Sequence, residues 1–383
     1  MQIDDNIMRL RDNVIHHRRW LHRYPQTGFK EELARDYIIS FLKSLQFDEV
    51  HIMAGTGVKA VIYGKGGGRT LAFRADMDGL AVTEKTGLEY ASELKGYMHA
   101  CGHDGHMAIL LGFAQWLSEN KSDLTHNVVL LFQPSEETAG GALPMIQEGA
   151  LNDPDVDYIF GYHIMPEIPQ GKIGLKAGPL MASTSEFTIE LRGVSAHGAM
   201  PHKGVDAIVA ASHFIVQLQS VLTRRIDPFQ QALVTIGRLQ AGDARNILAA
   251  SARMEGILRT FDDKASMAVK NHITELLKGM EISQAISWVF QELVYYPPVV
   301  NHEELTEKLQ AIIPQSMQQT VKPMMIAEDF SYYQQQIPGV FLYLGSRNEE
   351  RGYTWPLHSD RFQFDEDIML TGIQLYKEIL LHI

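Results

Sequence analysis

The apolar positions in the first third of the chain change from helical to strand spacing. They recur every three to four residues over 4–23 and 31–45, which predicts two helices. Two runs of strand character follow at 58–63 and 70–75, and a nearly continuous apolar run at 107–117 predicts a buried helix. Strands that alternate with helices in this way predict an α/β fold.

Two more predicted strands precede a separate module in the middle of the chain. Apolar runs at 127–132 and 158–162 first predict two more strands, the former buried on both faces of a sheet. From about 182 to 295 the predicted order is strand, helix, strand, strand, helix, strand. This order is typical of a ferredoxin-like α+β module.

Composition and charge narrow the classes of function. The chain has 383 residues, 45% of them hydrophobic and 21% charged, as in an ordinary globular protein. A net charge of -12 argues against nucleic-acid binding, and no apolar run is long enough to predict a membrane span. One cysteine and an N-terminal segment without signal-peptide character predict a cytoplasmic location.

The stretch from Met98 to His106 holds the only cysteine and three histidines. Gly102 separates Cys101 from His103 and allows a bend that would turn both side chains to one side. A lone cysteine is often just a small buried hydrophobe, so this stretch alone leaves both interpretations open. A metal site needs further ligands from elsewhere in the chain.

Further candidate ligands follow three predicted strands. Asp76 and Asp78 come after one strand, Glu136 and Glu137 after the next, and His163 after a third. Each group alone is also compatible with a turn or a solvated loop. Open α/β sheets place their functional residues at the carboxyl ends of strands. Candidate ligands at three such ends, together with Cys101, therefore predict a metal site.

Six motifs occur in a fixed order along the chain: RADMDGL, HACGHDGH, FQPSEE, GYH, SAHGAMPH and LHSD. Together they resemble the zinc-peptidase-related amidohydrolases, which include aminoacylases, hippurate hydrolases, auxin-conjugate hydrolases and N-acetyldiaminopimelate deacetylases. The resemblance covers essentially the whole chain. It implies an α/β catalytic domain with a mixed sheet in three layers, formed by 1–181 and 297–383. An inserted ferredoxin-like domain, 182–296, would act as a lid and in dimerisation.

The resemblance also implies two divalent metal ions bridged by the thiolate of Cys101. His103 and His163 would complete one metal site, and Glu137 and His358 would complete the other. Many relatives have a histidine at the position of Asp76 and an aspartate at the position of Cys101. The identity of the metal therefore stays open among manganese, zinc, cobalt and nickel.

The remaining roles implied by the resemblance concern proton transfer and substrate binding. Glu136 would be the general base, and His197 of the inserted domain would stabilise the oxyanion. Asn246 and Arg259 would bind a substrate carboxylate. Asp76 and Asp78 would orient the ligands through hydrogen bonds.

The implied reaction is hydrolysis of the amide bond of a small N-acyl amino acid by a homodimeric enzyme, with N-acetyl amino acids as the leading substrates. Within this class the best single hypothesis is deacetylation of N-acetyldiaminopimelate in lysine biosynthesis. A general aminoacylase or a small-peptide carboxypeptidase is the near alternative. A non-catalytic binding protein on the same fold, and a two-metal phosphoesterase, are more remote alternatives.

Overall fold

The computed structural model of the protein describes residues 2–65 and 67–383. Its α-helices are α1 (Asp5–Met8), α2 (Arg11–Arg23), α3 (Glu32–Lys43), α4 (His103–Glu119), α5 (Ala142–Gln147), α6 (Ala207–Arg224), α7 (Asp263–Gln284), α8 (Glu303–Ile312), α9 (Ser331–Gln334) and α10 (Ile368–His382). Its strands are β1 (Glu49–Met53), β2 (Gly57–Ile62), β3 (Thr70–Asp76), β4 (Asn127–Gln133), β5 (Tyr158–Pro169), β6 (Ile173–Leu175), β7 (Gly178–Met181), β8 (Thr184–Arg192), β9 (Ala232–Ala241), β10 (Ser251–Thr260), β11 (Ser287–Tyr296), β12 (Val299–Asn301), β13 (Gln318–Thr320) and β14 (Gly339–Arg347). None of the helices described is both long and apolar enough to cross a membrane.

The chain forms two compact units, and the second is inserted into the first. The first unit consists of the described residues up to Gly178, Val300–Lys322 and Asp329–Ile383. The second unit consists of Pro179–Val299 and Pro323–Glu328.

The short segment Pro323–Glu328 belongs to the second unit, although it lies within 297–383, the range that the sequence assigns to the catalytic domain. Its backbone is bonded to the start of the second unit. The N–H of Met324 donates to the carbonyl of Leu180, and the N–H of Ala182 donates to the carbonyls of Met324 and Ile326. These bonds explain why the segment belongs with the inserted unit.

The first unit is built on an eight-stranded sheet with the order β1-β2-β4-β3-β5-β14-β6-β13. β3 runs parallel to β4 and β5, whereas β2 pairs antiparallel with β1 and β4, so the sheet is mixed. Every residue of β2 and β3 is buried, as is all of β4 after its first residue. A sheet buried on both faces requires cover on both sides, which is the three-layer arrangement.

The second unit has a four-stranded antiparallel sheet with the order β11-β8-β10-β9. Helices α6 and α7 share a separate apolar core with this sheet, including Phe187, Phe214 and Ile273. The carboxylate of Asp206 begins α6 by accepting the N–H groups of Ile208 and Val209. The predicted fold class, a mixed α/β domain with an inserted ferredoxin-like α+β domain, is therefore confirmed.

Two sequence-based element boundaries were wrong. The predicted helix at 4–23 is broken between Met8 and Arg11, where the N–H of Leu10 bonds only three residues back to Ile7. The strand predicted to end at 162 continues to Pro169, because β5 keeps pairing with β14 along its length. His163 consequently lies within a strand instead of following one.

A buried ion pair anchors the helix that carries His103. Arg18 on α2 lies 3.1 Å from Asp104 in the first turn of α4, and both side chains are 1% exposed. His22, one turn further along α2, places its Nδ1 at 2.8 Å from the same carboxylate oxygen. Because Asp104 follows His103 directly, this pair also fixes the start of α4.

Removal of the guanidinium should destabilise the first unit strongly. Arg18→Met should lower its free energy of unfolding by about 3–5 kcal/mol, because Asp104 stays buried without the guanidinium and with only the His22 imidazole beside it. Denaturant unfolding followed by the fluorescence of Trp20 and Trp116 measures the change.

The control is Arg11→Met, which removes an exposed ion pair with Asp367. The nitrogen–oxygen distance of this pair, 2.7 Å, is similar to that of the buried pair. Its side chains are 45% and 46% exposed. The expected loss is therefore below about 1 kcal/mol. Equal losses in the two variants would contradict the anchoring role of Arg18.

Candidate active site

A glycine turn places Cys101 and His103 at the start of α4. Gly102 has a φ of 87°, in the left-handed region that favours glycine, and His103 is the first residue of the helix. Both flanking side chains are buried. The bend expected from the sequence at Gly102 is confirmed.

Two groups of potential ligands share Cys101. The ligand atoms of Cys101, His103 and His163 lie within 4.8 Å of one another, and so do those of Cys101, Glu137 and His358. The Cys101 Sγ is 3.3 Å from Nε2 of His163, and Nε2 of His358 is 2.9 Å from Oε1 of Glu137. The structure thus brings together all five residues expected to bind metal.

The two buried histidines direct their Nε2 atoms into this cluster. The Nδ1 atom of His103 lies 2.9 Å from the carbonyl oxygen of Asp78, and that of His163 lies 2.7 Å from the carbonyl of Ile164. A carbonyl can only accept, so Nδ1 carries the proton in both rings. Among the described residues Nε2 of His103 has no hydrogen-bond partner. A buried ring nitrogen without a partner suits a metal ligand, because a bound cation would take the place of its proton.

The cluster is rich in negative charge. Burial, together with the charges of Glu137 and Glu136, raises the pKa of the Cys101 thiol well above its ordinary value. Burial works against a charge on His103, but the carboxylates of Asp76 and Asp78 outweigh it and raise the pKa of this imidazole to about 10. Such an excess of carboxylates around soft sulfur and nitrogen donors favours divalent cations.

Asp78 connects three parts of the candidate site. Its two carboxylate oxygens accept the N–H groups of Glu136 and Glu137, each at 3.0 Å. Its backbone carbonyl accepts the Nδ1 proton of His103. A single residue, two positions beyond the end of β3, therefore holds both the loop after β4 and the start of α4.

Asp76 holds a histidine that is not available as a ligand. The N–H of Ile164 donates to Nε2 of His106, so the proton of this ring is on Nδ1, 2.6 Å from Asp76. The other oxygen of Asp76 accepts from Arg74 at 2.8 Å. His106 therefore uses both ring nitrogens in structural hydrogen bonds.

His358 reaches the cluster from the loop that follows β14. Its φ of 65° is uncommon for a residue with a side chain. Its N–H donates to the carbonyl of Ala100, the residue before Cys101, at 2.8 Å. This bond fixes the backbone of His358 beside the cysteine turn.

The other three predicted residues belong to the second unit. His197 follows β8, and the segment around it is bonded to the segment of Asn246 through the N–H of Gly198 and the carbonyl of Asn246. Arg259 lies on β10. Its Nη1 atom is buried without a hydrogen-bond partner among the described residues, as expected of a group that awaits an anionic ligand.

Sequence reasoning missed one residue that supports the site. Glu31 is fully buried and accepts the N–H of Ser135 at 2.9 Å, next to Glu136. It lies just before α3, far from every recognised motif in the sequence. No periodicity or spacing marks it, since its partner is a backbone group more than a hundred residues away.

The chain is similar to several known proteins along its whole length. It is 39% identical over 363 residues to an N-acetyldiaminopimelate deacetylase of Brevibacillus brevis, covering 94% of each chain. The crystal structure of the Bacillus subtilis YXEP protein, a dinuclear metal binding peptidase from the M20 family, is 33% identical. It superimposes with a TM-score of 0.85 over 98% of each chain.

A more distant structure extends the likeness in fold. The aminobenzoyl-glutamate utilization protein of Klebsiella pneumoniae is 20% identical, with a TM-score of 0.74 over 100% of this chain and 99% of its own. The sequence pattern of the family described as Peptidase family M20/M25/M40 matches residues 72–382. The resemblance seen in the motifs is confirmed: the chain belongs to the peptidase family M20/M25/M40 and is a metal-dependent amidohydrolase.

Proposed function

We propose that the protein removes the acetyl group from N-acetyldiaminopimelate with the help of two divalent metal ions. The observation that carries the metal-dependent part is the pair of ligand groups that share Cys101. Their positions beside a buried glutamate, Glu136, match what two-metal hydrolysis of an amide requires. The nature of the substrate rests on the Brevibacillus brevis relative.

The five residues around Cys101 would hold the metals. Cys101, His103 and His163 would form one site, and Cys101, Glu137 and His358 the other. Thiolate and imidazole favour zinc, cobalt or nickel, whereas the carboxylates also suit manganese. Two ions bound there would lower the pKa of a shared water and polarise the amide carbonyl.

Glu136 is the group in position to move protons. Its carboxylate accepts a proton from the attacking water, and the carbon–oxygen bond forms as the carbonyl becomes tetrahedral. Glu136 then delivers this proton to the amine nitrogen while the carbon–nitrogen bond breaks. This step releases the free amine and acetic acid, and the acid passes its proton to the amine or to water. The bonds from Asp78 to the N–H groups of Glu136 and Glu137 hold the loop in place for these transfers.

The second unit supplies the remaining contacts in this proposal. His197 would donate a hydrogen bond to the oxyanion. Asn246 and Arg259 would bind the substrate carboxylate, with the guanidinium as a bidentate partner. The lack of a partner for the buried Nη1 of Arg259 supports this assignment.

Related substrates define the near alternative. A general aminoacylase or a small-peptide carboxypeptidase would need the same ligands and the same base, and it would differ only in the substrate pocket. A binding protein without activity is disfavoured, since every proposed ligand and the base are present. The cytoplasmic location expected from the sequence stays a prediction.

An assay of amine release on a panel of N-acyl amino acids tests the reaction. With manganese, zinc, cobalt or nickel added, we expect turnover to be fastest on N-acetyldiaminopimelate. Glu136→Gln should lower kcat at least about 100-fold and keep the metal content, because it removes a proton acceptor but no ligand.

Glu167→Gln is the control, because Glu167 is exposed on β5. It should leave kcat unchanged. Faster turnover of other N-acyl amino acids or of dipeptides would select the alternative substrates. Full activity in Glu136→Gln would assign the base to another residue.

Replacement of the cysteine should weaken both metal sites at once. Cys101→Ser substitutes a hydroxyl, which does not ionise at neutral pH, for the shared thiolate. Elemental analysis after dialysis should fall from about two metals per chain to well below one. In cobalt-loaded protein the sulfur-to-metal charge-transfer absorption should also disappear. Unchanged metal content would show that Cys101 is only a packed side chain.

We also propose that the protein forms a homodimer through the second unit. β9 is an edge strand of its sheet, and Leu239 on this strand is 45% exposed. α6, which contacts β9, exposes Ile208, Val209 and Val216. An open strand edge next to exposed apolar side chains is a surface that a second copy can cover.

Sedimentation at micromolar concentration tests this assembly. The wild-type protein should be a dimer, and Leu239→Lys should dissociate it because a charge replaces an apolar contact at the strand edge. Ile282→Lys is the control, since Ile282 is 87% exposed on α7 of the same unit. A wild-type monomer, or equal dissociation in both variants, would contradict the proposed interface.

A further inference from the structure

Two carboxylates hold three consecutive amide groups in the loop that carries Glu136. Asp78 accepts the N–H groups of Glu136 and Glu137, and Oε1 of Glu31 accepts the N–H of Ser135 at 2.9 Å. The three amides are therefore held by carboxyl oxygens from two segments outside the loop. Glu31 is the only member of this arrangement that comes from the N-terminal segment.

The loop is strained at the residue that Glu31 holds. Ser135 has a φ of 57°, and a non-glycine residue stays in this region only when its surroundings enforce it. The segment before Glu31 lies very close to the loop. A Cβ atom on Gly28 would lie 2.3 Å from Oγ1 of Thr138 and 2.5 Å from Oγ of Ser135. Close contact and the hydrogen bond together hold Ser135 in this conformation.

We propose that Glu31 is a positioning residue for the general base of the proposed reaction. It acts through the Ser135 amide, and so fixes the direction in which Glu136 leaves the loop. This inference rests on the proposed function, because it assigns Glu31 to the same hydrolytic step.

The hydrogen bonds around Glu31 suit its ionised form. Oγ1 of Thr56 donates to Oε2 at 2.6 Å, and Ser135 donates to Oε1, so both oxygens accept. A protonated acid would have to give up one of these acceptor positions. The charged group that faces Glu31 is Asp78, and the donors to the Glu31 carboxylate are Thr56, Ser135 and the N–H of Glu31 itself.

Ionisation of Glu31 costs stability. Burial, helped by the charge of Asp78, raises the pKa of Glu31 to about 7 in the folded protein. The stability that comes from its neutral form is present at low pH and is lost as the pH rises through about 7. Above this pH the loop is held by a carboxylate at the expense of global stability.

Glu31→Gln separates positioning from packing, because glutamine keeps the shape and removes the charge. We expect kcat to fall about tenfold with KM within about twofold of wild type, since a neutral acceptor binds the Ser135 amide more weakly. At pH 8 its Tm should rise above that of wild type. The acid limb of the plot of kcat against pH should become shallower, because one titrating group is lost.

Glu32→Gln is the matched control, since the neighbouring Glu32 is exposed. It should leave kcat, Tm and the pH profile unchanged. Hydrogen exchange of the 133–141 segment in metal-free protein gives a readout that does not depend on turnover. The Ser135 amide should exchange about tenfold faster in Glu31→Gln than in wild type or Glu32→Gln.

Two results would overturn the inference. One is unchanged exchange at Ser135 together with an unchanged pH profile in Glu31→Gln. The other is a Tm at pH 8 that falls in parallel with kcat, because that is the behaviour of a residue that only packs. If wild-type protein turns over no N-acyl substrate, the proposed reaction fails, and the exchange rates still decide whether Glu31 holds the loop.

Discussion

The candidate site depends on one aspartate that ties together segments distant in the sequence. Asp78 binds the amides of Glu136 and Glu137 with its carboxylate and the ring of His103 with its carbonyl. These bonds exist because β3 and β4 are parallel neighbours, so their carboxyl ends lie side by side. Without this residue, the base and two of the proposed ligands would have no common support. The metal-binding geometry is therefore a property of the sheet edge more than of any single motif.

Much of this arrangement could be predicted from the sequence, because the residues of the cluster lie in short motifs at turns and strand ends. Gly102 predicts the bend beside Cys101, and the apolar run before Glu136 predicts a buried strand. His163 was placed after its strand, since nothing in the sequence marks the continued pairing of β5 with β14. Glu31 could not be found at all, because its role depends on a backbone group brought near only by folding.

The surroundings of the cluster are as ordered as the cluster itself. Arg74, Asp76 and His106 form a buried chain of hydrogen bonds in which each proton position is determined by its neighbours. Such a chain keeps the groups that surround the proposed metal ligands in one protonation pattern and one orientation. The cost is a set of buried charges, and Arg18 with Asp104 is a further buried ion pair, at the start of α4. Stability and preorganisation are thus supplied by the same kind of interaction.

The shared position of Cys101 has a consequence for the order in which the protein can mature during synthesis. The residues of the first proposed ligand group, Cys101, His103 and His163, all precede the inserted unit, so they leave the ribosome before that unit is made. His358 emerges only after the whole inserted unit has been made. The two proposed ligand groups are therefore completed at different stages of synthesis, and the cysteine turn is made long before the backbone of His358 that binds to it.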